Sequence, residues 1–374
     1  MPQLVNFLRW GLYLVLLTPL LFQPTSLFPY ITVKIVVFQI LTTILTAAYL
    51  ALIIFQPQYR PKFTPLVISF TIFILALLLT GLTGVDWQNS FWSVPERGIG
   101  IFTIIHFWLF FLMLVSLRKE IDWQKFLTFS FIISLLAALS AFIFPSDPRP
   151  GGVFGNPNFL SPYLLFNVFI GLWLAKNNRW FYLGVLLQIL VITLAGSRGV
   201  ILGLIAGLII LLLLTQKTKL KLAGAGLIIV IIALGLIITR PTAFLSLKSS
   251  GIQQRLNNWQ IGWQAFKEKP LLGWGWENFN KAYNQYYQPR LLRHNVGERL
   301  SSKPHNVFIE YLAAGGLILL LAFLLLMAGA FYKGWLMAGP LLGAYLIQNL
   351  FSFDSFGTYL MLAVVLAWID NHHD

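Results

Sequence analysis

Residues 185–214 read VLLQILVITLAGSRGVILGLIAGLIILLLL, two apolar runs joined by the four residues Gly196-Ser197-Arg198-Gly199. So short a connection makes the runs neighbours that lie antiparallel, and each is close to the length that crosses a bilayer, about 20 residues. Runs of this kind recur along the chain. We expect spans at about 5–22, 33–55, 64–84, 98–117, 126–145, 159–175, 180–196, 199–215, 222–239, 306–331, 335–351 and 356–370. The composition agrees, with 58% hydrophobic and 10% charged residues and 13 Trp in 374. The fold expected is therefore an all-α integral membrane bundle of about 12 transmembrane helices, residues 1–374 forming one polytopic domain.

Charge orients the bundle. With the N-terminus inside, the cytoplasmic loops carry Arg60, Lys62, Arg118, Lys119, Lys125, Lys176, Arg179, Lys217, Lys219, Lys221 and Lys333, against Glu120 and Asp122. The short outer loops carry Lys34, Asp86, Glu96, Arg97, Asp147, Arg149, Arg198 and Asp354, which cancel. The positive-inside rule then places both termini in the cytoplasm. The net charge of +14 lies in loops between apolar spans, which argues against nucleic acid as a partner. The absence of cysteine excludes a disulfide scaffold and a thiolate metal site. The first span has Arg9 as its early positive charge and no small-residue cleavage site after Phe22, and reads as retained. No internal repeat is visible.

One loop departs from this pattern. Residues 240–304 are polar and basic, with ten Lys or Arg against three Glu, and the topology places them outside. Long loops are exempt from the positive-inside rule, so this excess charge points to an anionic partner. Within the loop Ile252, Leu256, Trp259, Trp263 and Phe266 recur every three or four residues up to Pro270, an amphipathic helix expected to lie in the membrane interface. Its opposite side carries Arg255, Asn258 and Gly262. Gly273-Trp274-Gly275-Trp276 follows as a turn, read as bearing interfacial tryptophans.

The candidate functional residues sit at this outer face. His305 follows Pro304 at the start of a span, where an imidazole either takes a proton from a hydroxyl or only hydrogen-bonds backbone. Arg198, held by its short hairpin, offers a planar fork that suits phosphate oxygens, or an interface anchor. Arg255 projects from the amphipathic helix, toward a ligand or toward water. Supporting candidates are Arg97, Arg149 before the turn-rich Gly151–Asn158 segment, Asn156, Asn306 and Asp354; Asn306 and Glu310, four residues apart, are placed to satisfy each other. His106 and Glu310 fall within spans, where an ionisable group faces the bundle interior. No acidic cluster, Gly-rich phosphate loop or Ser-His-Asp arrangement is present, so neither a metal nor a cofactor is expected.

In chain order, Trp92-Ser-Val-Pro-Glu-Arg97, Asn156-Pro-Asn158, Ser197-Arg198-Gly199, Arg255…Trp259…Pro270-Leu-Leu-Gly273-Trp-Gly275…Asn278-Phe279, Pro304-His305-Asn306 and Phe351-Ser-Phe-Asp354 together resemble the O-antigen ligase and Wzy-type polymerase superfamily of bacterial membrane glycosyltransferases. The resemblance runs from about residue 85 to the C-terminus. It implies a metal-independent enzyme of the bacterial cytoplasmic membrane that takes a glycan from an undecaprenyl-diphosphate-linked donor on the outer face, among membrane lipids. It also implies His305 as base and Arg198 and Arg255 as holders of the diphosphate. A ligase transfers the glycan to a lipid-core sugar, a polymerase to a second lipid-linked glycan, and a protein O-oligosaccharyltransferase to Ser or Thr; all three need the same parts. A transporter of small anions is the alternative of another class, and would require ionisable residues along a path through the midplane.

Overall fold

The computed structural model describes residues 1–144, 149–216, 218–239, 250–287 and 301–371. Arg240, Lys248, Arg290, Arg293, Glu298 and Arg299 of the basic loop, with Asp147 and Lys217, lie outside the described residues. Helices carry the fold. α1 is Pro2–Val15, α2 Thr32–Phe55, α3 Pro65–Leu82, α4 Trp87–Trp92, α5 Ile101–Ser116, α6 Trp123–Ile143 and α7 Pro157–Leu174. α8 is Phe181–Leu194, α9 Arg198–Leu214, α10 Thr218–Thr239, α11 Ser250–Glu268, α12 Phe279–Tyr286, α13 Val307–Asn349 and α14 Phe356–Asn371. Among the described residues, α2, α3, α6, α7 and α13 are long and apolar enough to cross a membrane, and α5, α8, α9 and α14 are shorter apolar helices. These apolar helices agree with an all-α membrane protein, with five of them long enough to span among the described residues. The short α4 was not foreseen; it lies in what reads as a loop.

α14 is the axis of the bundle. Every residue from Phe356 to Asp370 is buried, as an all-round apolar helix requires, and it packs on α5, α7 and α13. Its far end is closed by Lys333 and Asp370, 2.9 Å apart. Lys34, counted among the outer loop charges, instead sits inside the first turn of α2. There it is 1% exposed and donates to the carbonyls of Leu21 and of Val153, the latter at 3.0 Å. Burial of the ammonium requires those partners.

α13 is not one rod. Helical geometry breaks at Gly316, where φ is 58° and ψ −154°. The Phe308 and Phe323 rings lie 6.1 Å apart, and Asn306 Nδ2 donates to Leu350 O at 3.0 Å. A straight helix from 323 to 350 would measure about 40 Å, so the chain also doubles back beyond Phe323. The break at Gly316 falls inside the span expected over 306–331, which is therefore not one continuous helix.

The break at Gly316 frees backbone groups, and the segment after α11 satisfies them. Trp274 N donates to Ala313 O at 2.9 Å and Gly275 N to Ala314 O at 2.7 Å, while Leu317 N donates to Pro270 O at 2.8 Å. An added Cβ at Gly316 would lie 2.4 Å from the Leu271 carbonyl carbon, which is backbone and cannot give way. Gly316→Ala should therefore cost at least about 1–3 kcal/mol, the usual penalty for a left-handed non-glycine residue. Thermal unfolding in detergent should show a clear drop in midpoint.

Candidate functional site

Several helices begin at the same end of the bundle, and each first turn is fixed by a short polar cap. Asn156 caps α7 by accepting from Asn158 N at 2.8 Å. Asn306 caps α13, accepting from Phe308 N at 2.9 Å and Ile309 N at 3.1 Å. Asn306 and Glu310 therefore do not satisfy each other as expected; the cap takes the amide, and Glu310 pairs with Lys303. Ser197 precedes α9, and Gly199 packs so closely on the 351–355 loop that an added Cβ would meet Phe351 Cβ at 2.9 Å. The Ser-Arg-Gly sequence thus ends in glycine because the neighbouring loop leaves no room.

These starts surround a cavity of about 620 Å³. Its lining includes Glu96, Arg97, Asn156, Ser197, Arg255, Ser302, His305 and Phe353. His305 is half-buried, with its ring edge-on to Phe353 at 5.1 Å and its backbone left-handed at φ 57°. Arg97 lies over the same Phe353 ring at 4.9 Å and donates through Nη2 to Ser302 Oγ at 3.0 Å. Burial, with the charges of Arg255, Arg97 and Lys303, depresses the His305 imidazole to about 4. At neutral pH it is therefore an uncharged ring in a cationic cavity. Burial, then the charges of Arg198 and Arg149, lower the pKa of Arg255, so three guanidinium groups lie within electrostatic reach of one another. The N-termini of α7, α9 and α13 add the partial positive charge of their unpaired N–H groups.

Not every candidate lies where the sequence suggests. Arg198 and the exposed Arg149 act on Arg255 through their charge but are absent from the cavity lining. Asp354 turns inward. It accepts from Tyr345 Oη at 2.8 Å, and burial pushes its carboxyl up against the hydrogen bonds from Tyr345, Thr358 and Asn349. It borders a second, inner cavity of about 30 Å³ behind Phe353, which has room for water rather than a sugar. The tryptophans of the Gly-Trp-Gly-Trp turn are not interfacial either. Trp274 and Trp276 are 5% and 1% exposed, and Trp276 Nε1 donates to Ile99 O at 2.7 Å. α11 turns Leu256 and Trp263 outward and buries Asn258, Ile261, Gly262 and Ala265, whereas Ile252, Trp259 and Phe266 of the expected stripe are half-buried.

Sequence reading missed the support beneath His305. Lys303 Nζ is 2.6 Å from Glu277 Oε1, bonds Glu310 and lies 4.6 Å over the Trp276 ring. Burial opposes that ammonium, but Glu277 and Glu310 override it and hold its pKa above the usual lysine range. The signal available in sequence was Glu310 itself, an acid within an apolar span that needs a partner. Among the described residues no group of three His, Asp or Glu side chains could hold a metal ion.

Residues 183–324 match the O-antigen ligase family. That segment carries Arg198, Arg255, His305 and Asn306 together with Glu277, Lys303 and Glu310, and supports the superfamily resemblance drawn from the ordered motifs. Arg97 and Asn156 reach the site from outside the O-antigen ligase segment. No curated protein matches the chain.

Removing one partner of a buried ion pair leaves the other charge uncompensated, at a cost of about 3–5 kcal/mol. Lys303→Met should therefore lower the thermal midpoint sharply. Replacing Glu277 and Glu310 by Gln in the same chain should recover most of the loss. Equal midpoints for the single and triple variants would show that the charges are not coupled.

Proposed function

We propose that the chain is a membrane glycosyltransferase of the O-antigen ligase type. It transfers a glycan from an undecaprenyl-diphosphate-linked donor to a sugar hydroxyl of a lipid-core acceptor. The observation that carries this reading is an uncharged imidazole, His305, on a cavity bordered by Arg97 and Arg255 where three helix N-termini converge. A site so cationic selects an anion, and the family match supports a lipid-linked glycan as that anion's bearer. The exposed Leu256 and Trp263 of α11 suit a lipid interface beside the cavity. We place the site on the outer face of the cytoplasmic membrane. α14 runs from this site to Asp370, whose partner Lys333 belongs with the basic short loops of the opposite end.

In this reaction the acceptor hydroxyl oxygen bonds to the anomeric carbon of the donor glycan as its bond to the diphosphate oxygen breaks. His305 takes the hydroxyl proton, and undecaprenyl diphosphate leaves with the bonding electron pair. Arg255 and Arg97, with the field of Arg198 and the helix N-termini, stabilise the charge that grows on the leaving group. Because these groups are fixed before the donor arrives, little reorganisation is needed as charge moves. The mechanism assigns no step to a metal.

His305→Ala should lower turnover about 10²–10⁴-fold in proteoliposomes supplied with lipid-linked glycan and acceptor, while donor binding survives. Since His305 is deprotonated above about 4, kcat/KM should hold level across neutral pH and fall only as the medium approaches that value. The limb in kcat should lie higher, because a bound diphosphate favours the imidazolium. An active His305→Asn enzyme would remove the base assignment, and failure to form product with any acceptor class would remove the transferase reading.

The arginines give a separate test. If Arg198 and Arg255 serve the diphosphate through their planar forks, Lys at either position should be nearly as harmful as Ala. Wild-type donor affinity and turnover in Arg255→Lys would show that any point charge suffices there.

A further inference from the structure

Lys303 joins several separate segments of the structure beside the site. Its side chain is 5% exposed, and the carboxylates that grip it are 2% and 6% exposed. Glu277, itself left-handed at φ 61°, is held by Ser93 Oγ at 3.2 Å, and its carbonyl accepts from Asn89 Nδ2 at 2.9 Å. Glu310 belongs to the first turn of α13, one residue before Tyr311, which stacks on Trp276 at 5.8 Å. The Lys303 carbonyl accepts from Ser301 Oγ at 2.9 Å and Asn258 Nδ2 at 3.4 Å. The ammonium and carbonyl of this one residue therefore bind α4's neighbourhood, the 274–278 turn, α11 and α13 together.

Packing alone does not explain such a group. An apolar residue of similar volume generally stabilises a buried site as well as an ion cluster does. Two residues further on, however, the chain must hold a histidine in a left-handed conformation that side chains rarely adopt. Pro304 fixes the φ between them, and Asn306 is committed to capping α13. His305 is thus the residue that absorbs the change of direction between two anchored points.

We propose that Lys303, clamped by Glu277 and Glu310, is a positioning residue of this site, fixing the left-handed backbone of His305 so that its imidazole meets the acceptor at the cavity. The proposal rests on the reading of His305 as the base. The cluster acts a second time through charge. His305 shares the cavity with Arg97 and Glu96 from the 93–99 turn and Arg255 from α11, with Lys303 beneath it; Arg198 and Arg149 act on Arg255 in turn, and Asp354 of the 351–355 loop points away to Tyr345. Burial first, and then the Arg255, Arg97 and Lys303 cations, disfavour the imidazolium. Removing the Lys303 charge relieves part of that effect and raises the His305 pKa.

The test uses the full chain in proteoliposomes and compares the wild type with Lys303→Met combined with Glu277→Gln and Glu310→Gln. This variant removes the clamp without leaving an uncompensated buried charge. We expect a folded protein with an unchanged KM for the lipid-linked donor and kcat lower by about 10²-fold, as a small misplacement of a reacting group produces. The NMR signals of the His305 imidazole should shift or broaden as the ring loses its single orientation, a readout that does not depend on its titration. A folded triple variant with wild-type kcat and unchanged imidazole signals would reduce Lys303 to a structural role and overturn the proposal. Glu277→Gln alone, which loosens one side of the clamp, supplies the second reading should the triple variant not fold. A lower kcat at unchanged KM supports the proposal, and wild-type kcat overturns it. His305→Ala in the same assay keeps the two ideas apart. If that variant is fully active the base reading fails, while the imidazole signals of the triple variant still report whether Lys303 orders the His305 ring.

Discussion

Buried backbone polar groups in an apolar bundle must find partners, and at Gly316 the bundle meets that demand in an unusual place. The break in α13 is tolerated because residues 270–275 supply donors and acceptors to the exposed turn. Much of the site follows from this one docking. It brings the 274–278 turn against α13, which puts Glu277 within reach of Lys303 and Trp276 beneath it. It also carries α11 across the top of the bundle, so that Arg255 faces the cavity while Leu256 and Trp263 face outward.

The electrostatics divide into two layers with opposite tasks. Below, a single ammonium is gripped by two carboxylates, and all three side chains are buried. Above, guanidinium groups crowd one another around a half-buried cavity, and the nearest carboxylate on its lining is Glu96. The lower layer is satisfied within the protein. The upper layer is a preorganised positive field, of the sort that is costly to build and useful only where negative charge arrives or develops. An imidazole at the boundary of the two layers stays neutral first because it is buried, and then because of the cations that make an anion welcome beside it.

The chain itself announces what local chemistry controls. Apolar runs mark the helices of the bundle though not the short α4 and α12, and the three- or four-residue spacing from Ile252 to Phe266 marks α11. Ordered short motifs name His305, Arg198 and Arg255. Hydropathy depends on a residue and its immediate neighbours, so it can be read before folding. The tertiary structure decided which polar groups meet, because that depends on partners far away in sequence. Asn89 reaches Glu277 across 188 residues and Trp276 reaches Ile99 across 177. For that reason the tryptophans that look interfacial are buried, Lys34 lies inside the bundle and Asp354 turns from the site to Tyr345. The basicity of His305 was likewise settled only by folding, since burial and three cations from separate segments set it together.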